Sequence, residues 1–294
     1  MTWTKGTLSW RWGRTLYLSV VFTWHLPQAR ALAKAHKGPV RAGGPAVELL
    51  PGYLAGVADV ETPLEMDALP LHNPFATRTS QGCPRRCEFC INRDNALHLL
   101  PDFRPAPLAC DDNFLATPWA HQERTIERLA ALPFVDFNQG LDARLFTDDT
   151  AELFVNLPHV RLRFSWDTPS QEQPVRDAIA EARDAGLHDI RCYVLVGYPA
   201  AYDTPEYARH RCETLKGLGV EKPNVQRFQP VRATSGHGIE ERHLLAKNSY
   251  VAPAWTESEL RRYMKYWNRQ AWLGGVPFDE FRPPEPMPLF NGGA

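Results

Sequence analysis

With 294 residues, a net charge of −1, 44% hydrophobic and 23% charged residues, the chain has room for a sizeable core and one or two domains. A balance so near neutrality gives no long-range field for gathering nucleic acid, anionic membrane or acidic substrates, although a local basic groove stays compatible with it. The most apolar early run, residues 16–24, is about half of the roughly 20 residues a membrane-spanning helix needs, and it lacks the cleavage site of a signal peptide.

A cytoplasmic chain is therefore expected, in which thiols stay reduced and clustered cysteines point to metal before disulfides. Residues 16–24 read as a buried strand, rich in β-branched and aromatic side chains. A helix is predicted over 27–36. A second strand enters the run VRAGGPAVELL, with Gly43 and Gly44 at its turn. No Gly-x-Gly-x-x-Gly follows, so the turn is read as structural and not as a dinucleotide site. Residues 60–73 read as loop.

From residue 74 the pattern is strand, polar loop and helix, repeated. The predicted strands are 75–82, 108–114, 135–141, 161–167, 190–197 and 225–231. Helices are predicted over 119–132, 150–157 and 171–185, the last capped by Gly186, and from Thr204 onward with Pro205 in the first turn. Ala208, Cys212 and Leu215 form the buried face of that fourth helix. Such units argue for parallel strands, in a barrel-like or open doubly wound sheet. In either, chemistry gathers at the carboxyl ends of the strands.

A last helix is predicted over 257–272. Leu260, Tyr263, Met264, Trp267 and Ala271 form its apolar stripe, and Arg261, Arg262, Lys265 and Arg269 lie off it. Interleaved basic and aromatic residues can stack on nucleic acid; a helix packed on the sheet with a solvated basic face is the favoured expectation. The fold class expected is α/β, divided as a small α/β segment (1–70), a partial barrel (71–235) and a helical extension (236–294).

The stretch GCPRRCEFC places Cys83, Cys87 and Cys90 within eight positions of a chain with six cysteines. A structural zinc site wants four ligands, so the fourth would be remote: Cys110, Cys192, Cys212 or a histidine such as His98. That alternative makes the chain a zinc-stabilised nucleic-acid-binding module. A 4Fe–4S cluster normally takes four thiolates. Three leave one iron without a protein ligand, and an open position is what a catalytic metal needs to hold its reactant.

This stretch resembles the signature of the radical S-adenosylmethionine family, Cys-x-x-x-Cys-x-aromatic-Cys, on the loop after the first strand of a partial (β/α)6 barrel. Phe89 stands at the aromatic position, and the likeness covers roughly residues 74–235. The resemblance implies that Cys83, Cys87 and Cys90 bind three irons of a 4Fe–4S cluster and that S-adenosylmethionine chelates the fourth. One electron, from a donor such as flavodoxin or ferredoxin, would then cleave the sulfonium to methionine and a 5′-deoxyadenosyl radical.

The resemblance also implies cofactor contacts at the strand ends. The family's Gly-Gly-Glu-like motif is here replaced by Cys110, Asp111, Asp112 and Asn113. A carboxylate there could grip the methionyl amino group; the choice between Asp111 and Asp112 stays open, as does a plain Asp-Asp-Asn turn. By strand alternation Asp112 shares its face with Cys110 and Asp111 points the other way. Asn138 and Gln139 end the third strand, and Ser165 and Asp167 the fourth. The run VLVGYP, with Val196 and Gly197, resembles the Gly-x-Ile-x-Gly region beside adenine, although Val194 stands where the first glycine would be. An ordinary buried strand ending in a turn is the other reading.

Arg85 and Arg86 are read either as support behind the cysteine ligands or as solvated loop charges, with solvation the favoured expectation, and Cys110, Cys192 and Cys212 are expected to pack in the core. The first 70 residues resemble a shortened cobalamin-binding domain but lack Asp-x-His-x-x-Gly, so bound cobalamin is not expected. The substrate stays open among nucleoside or RNA, peptide and small metabolite.

Overall fold

The computed structural model describes residues 3–64, 66–92 and 96–283. At the amino end, β1 (Leu8–Trp12) and β2 (Thr15–Ser19) form an antiparallel hairpin in which Trp12 faces Thr15. Only Gly13 and Arg14 lie between them, and Gly13 takes the φ of +59° that so short a turn requires. The sequence reading misses β1 because most of its side chains are exposed, which leaves no buried alternation to detect. The predicted strand over 16–24 ends early, since Thr23–His25 coil into a 3-10 turn and Phe22 stacks on Trp24 at 4.5 Å.

Helix α1 (Leu26–Ala35) then crosses to β3 (Val40–Gly43), which pairs parallel to β2. Gly44 follows with φ +100°, and a Cβ there would stand 2.8 Å from the Val20 carbonyl oxygen, so only glycine fits. The turn leads directly into α2 (Pro45–Leu49) and the short α3 (Pro51–Leu54). Leu16, Leu18, Leu26, Ala29 and Val40 bury together in a core of their own, which Leu245 from far along the chain joins. Residues 60–73, expected as loop, contain one helical turn, α4 (Leu69–His72).

The main sheet contains all six predicted strands. These are β4 (Ala76–Thr77), β7 (Leu108–Ala109), β8 (Val135–Phe137), β9 (Val160–Ser165), β10 (Ile190–Val196) and β11 (Lys222–Arg227). They lie in the order of the chain, each pair parallel. A doubly wound sheet reverses its strand order at a switch point. This sheet has no reversal, and one face carries the helices: α5 (Trp119–Leu129), α6 (Asp148–Phe154), α7 (Glu172–Asp184) and α8 (Pro205–Gly217).

Alternation along β9 and β10 supports that assignment. Leu162, Phe164, Cys192 and Val194 are fully buried in the same core as Ile179, Ala208, Cys212 and Leu215 from the helices. Arg163, Ser165, Tyr193 and Leu195 point to the other face and are half-buried. The arrangement is an open, barrel-like α/β sheet; it does not close between β4 and β11 among the described residues.

Beyond β11 the chain makes the short α9 (Glu241–Leu244) and then α10 (Glu257–Asn268), capped by a Thr256–Glu259 box. Asn268 donates to the Val225 carbonyl and accepts from its N–H, both at 2.8 Å. Its amide so takes up edge groups of β11 that a further strand would otherwise pair. The helix stops four residues before the predicted 272, where Gln270 turns left-handed at φ +52°. Among the described residues no helix is long and apolar enough to cross a membrane.

Candidate functional site

The predicted strand 75–82 is broken in two, and a single carboxylate explains the break. Asp111 Oδ1 accepts hydrogen bonds from the backbone N–H and hydroxyl of both Thr79 and Ser80. The chain therefore leaves the ladder after β4 and re-forms as β5 (Ser80–Gln81), antiparallel to β6 (His98–Leu99). Between β5 and β6 lies the cysteine loop. Gly82, at φ +87°, opens it and donates its N–H to Asp112 Oδ2 at 2.7 Å.

Cys83, Cys87 and Cys90 are half-buried, whereas Cys110, Cys192 and Cys212 are fully buried. N–H groups converge on the loop sulfurs. Arg85 N donates to Cys83 Sγ at 3.4 Å, Asn92 N to Cys90 Sγ at 3.4 Å, and Asn113 Nδ2 to Cys83 Sγ at 3.3 Å. Burial raises the Cys90 thiol, and charge on Cys87 and Cys83 raises it further, so the three sulfurs are electrostatic neighbours. Among the described residues no three His, Cys, Asp or Glu side chains meet at a point that one ion would fill.

The two aspartates part company. Asp111 is buried and committed to Thr79 and Ser80, while Asp112 is half-buried against the start of the cysteine loop. Asn113 is buried, with its Oδ1 lacking a hydrogen-bond partner, as does Asp111 Oδ2. Phe89 packs edge-on against Tyr198, and the Tyr198 hydroxyl donates to Glu88 Oε2 at 3.0 Å, so the loop after β10 grips the cysteine loop. Asn138 accepts from the Tyr193 hydroxyl through its carbonyl at 2.6 Å, and Gln139 is exposed. Gly140 lies against Ser165: a Cβ there would stand 3.1 Å from Ser165 Oγ. Val196 buries its side chain in the core, and Leu260 covers Gly197, so neither presents a side chain at the strand ends.

Asp167 bridges two strands, its Oδ1 accepting from Leu195 N at 3.0 Å. Burial lifts its carboxyl to about 6, against the Leu195 N–H and the charge of Arg211, which lower it. An acid whose pKa is raised by folding binds more protons folded than unfolded, so its ionisation costs stability as pH rises from about 4 through about 6. Asp167→Asn should therefore gain on the wild type by up to roughly 2–3 kcal/mol between pH 4 and pH 7. Urea unfolding at the two pH values reads the difference; an equal difference at both would show that Asp167 titrates normally.

Sequence reasoning misses Asp142, which follows the third strand. It accepts from Arg85 Nε at 2.8 Å and from Arg144 Nε at 2.7 Å. Burial opposes its ionisation, but the Arg144 and Arg85 hydrogen bonds and charges outweigh this, and its carboxyl sits below the usual range. Arg85 is therefore paired with Asp142, not simply solvated as expected, because the fold delivers a carboxylate from 57 residues away. Also missed is the buried pair of Arg211 and Asp203, joined at 2.8 Å. A charge set inside the apolar face of Ala208, Cys212 and Leu215 was the signal available.

Neither the family models nor the curated protein sequences match this chain. Among solved structures it is similar to the radical S-adenosylmethionine methyltransferase TsrM from Kitasatospora setae, solved with cobalamin and a [4Fe-4S] cluster bound. The TM-score is 0.53 at 12% identity, over 74% of this chain and 62% of that one. The chain thus spans less than two thirds of that protein, and at such identity the likeness is one of fold.

Proposed function

We propose that this chain is a radical S-adenosylmethionine enzyme, with Cys83, Cys87 and Cys90 as the protein ligands of a 4Fe–4S cluster. One observation carries the reading. Three half-buried thiols in Cys-x-x-x-Cys-x-x-Cys spacing follow the first strand of a six-stranded parallel sheet, and N–H donors face the Cys83 and Cys90 sulfurs. N–H groups at sulfur are what stabilise cluster thiolates, so the donor set fits the group. When bound, such a cluster supplies the electron that cleaves S-adenosylmethionine to methionine and a 5′-deoxyadenosyl radical.

In this reading the strand ends hold the nucleoside and methionyl parts. Asp112 presents a carboxylate to the ammonium, since Asp111 is committed to Thr79 and Ser80. Asn113, Asn138, Gln139, Ser165 and Asp167 supply polar contacts, Val196 and Gly197 only backbone at the end of β10, and Phe89 packs the loop. Residues 71–235 form the catalytic unit, 1–70 a flanking α/β segment and 236–294 an extension whose helix α10 packs against β11. A flavodoxin- or ferredoxin-type donor supplies the electron, in a cytoplasmic setting. Cobalamin is not carried over, because residues 1–70 lack Asp-x-His-x-x-Gly.

The test is anaerobic reconstitution with iron and sulfide, reduction by dithionite, and chromatography for 5′-deoxyadenosine. Slow formation is expected even without the partner substrate. A fully loaded, reducible cluster that forms none overturns the reading, and zinc in place of iron and sulfide favours the nucleic-acid-binding alternative.

A further inference from the structure

We propose that Asn113 and Arg144, both held by Asp142, donate N–H groups to the Cys83 and Cys87 sulfurs and so raise the reduction potential of the cluster. The inference rests on the ligand reading above. Asp142 is anchored to the sheet: Leu141 N donates to the Arg163 carbonyl and Leu141 bridges Phe164 of β9. Its side chain is only 6% exposed. It accepts from Arg144 Nη2 at 3.1 Å and Asn113 Nδ2 at 3.5 Å, besides the bonds already given.

Both donors are therefore fixed before any cluster binds. Asn113 Nδ2 lies 3.3 Å from Cys83 Sγ. The Arg144 guanidinium hydrogen-bonds the Cys87 sulfur. With Arg85, the group holds two guanidinium charges and one carboxylate, net +1 beside the sulfurs.

Reduction transfers one electron from a low-potential donor to the cluster and moves no proton in this scheme. The added negative charge spreads onto the thiolates. An aimed N–H dipole or guanidinium stabilises that reduced state more than the oxidised one, which raises the potential.

The experiment is a dithionite titration of the anaerobically reconstituted full chain, followed by electron paramagnetic resonance, with iron counted in every sample. Asn113→Leu and Arg144→Met should each shift the potential to more negative values at wild-type iron content. Arg86→Met removes an equal charge from an exposed position on the same loop and should leave the potential in place. Unchanged potentials in both test variants overturn the proposal, as does a shift in Arg86→Met as large as that in Arg144→Met. If Asn113→Leu holds no iron, Arg144→Met decides alone. A wild-type chain that binds no cluster overturns the ligand reading instead.

Discussion

Cys83→Ala, Cys87→Ala and Cys90→Ala should each emerge from anaerobic reconstitution with little iron and no 5′-deoxyadenosine formation. The other three single variants, at Cys110, Cys192 and Cys212, should keep wild-type iron. The distinction is physical. The loop sulfurs are only half-buried, so a cluster can reach them, and those of Cys83 and Cys90 face N–H donors. Cys192 and Cys212 are fully buried between sheet and helices, packed among apolar side chains and out of a cluster's reach. The Cys110 thiol is pushed up to about 12, chiefly by burial. Iron counting on the six proteins settles the ligand set. Full loss of iron from Cys110→Ala would show that the set is incomplete.

Arg211→Met should destabilise the fold by roughly 3–5 kcal/mol, because it strands a buried carboxylate. Arg211 is fully buried, and besides Asp203 it donates to the Trp166 and Asp167 carbonyls at 3.0 and 3.2 Å. Asp203 in turn receives the Tyr198 N–H at 2.8 Å, and its carbonyl receives the Trp255 indole N–H at 2.7 Å. The pair therefore ties α8, the loop after β10 and the approach to α10 into one unit. Denaturant unfolding of Arg211→Met and of the double variant with Asp203→Asn tests this. The double variant should recover part of the loss, since it leaves no lone charge. A loss below about 1 kcal/mol in the single variant would mean that water reaches Asp203 and that the pair is not needed.

These two expectations differ in where they come from. The proposed cysteine ligands rest on spacing within eight residues, and that spacing is legible in the chain itself. So are the six strands of the main sheet and the helices between them, because period-2 and period-3.6 patterns are local. Gly186 and Thr204 mark helix ends for the same reason: the Gly186 N–H donates to the Arg183 carbonyl, and the Thr204 side chain accepts from Tyr207 N. A strand whose side chains stay mostly in water, as in β1, leaves no such trace.

The three-cysteine spacing, the αβ order and the local caps were thus determined by the sequence alone. Only the tertiary structure decided what surrounds the loop. Asp111 could not be told from Asp112 by parity, since the first answers to Thr79 and Ser80 and the second to Gly82, partners about 30 residues away. Asp142 acquires its role from Arg85, Arg144 and Asn113, which meet only when three successive loops reach the same end of the sheet. Side-chain hydrogen bonds act over about 3 Å. Which groups come within that range is set by the order and curvature of the strands, and no local pattern records it.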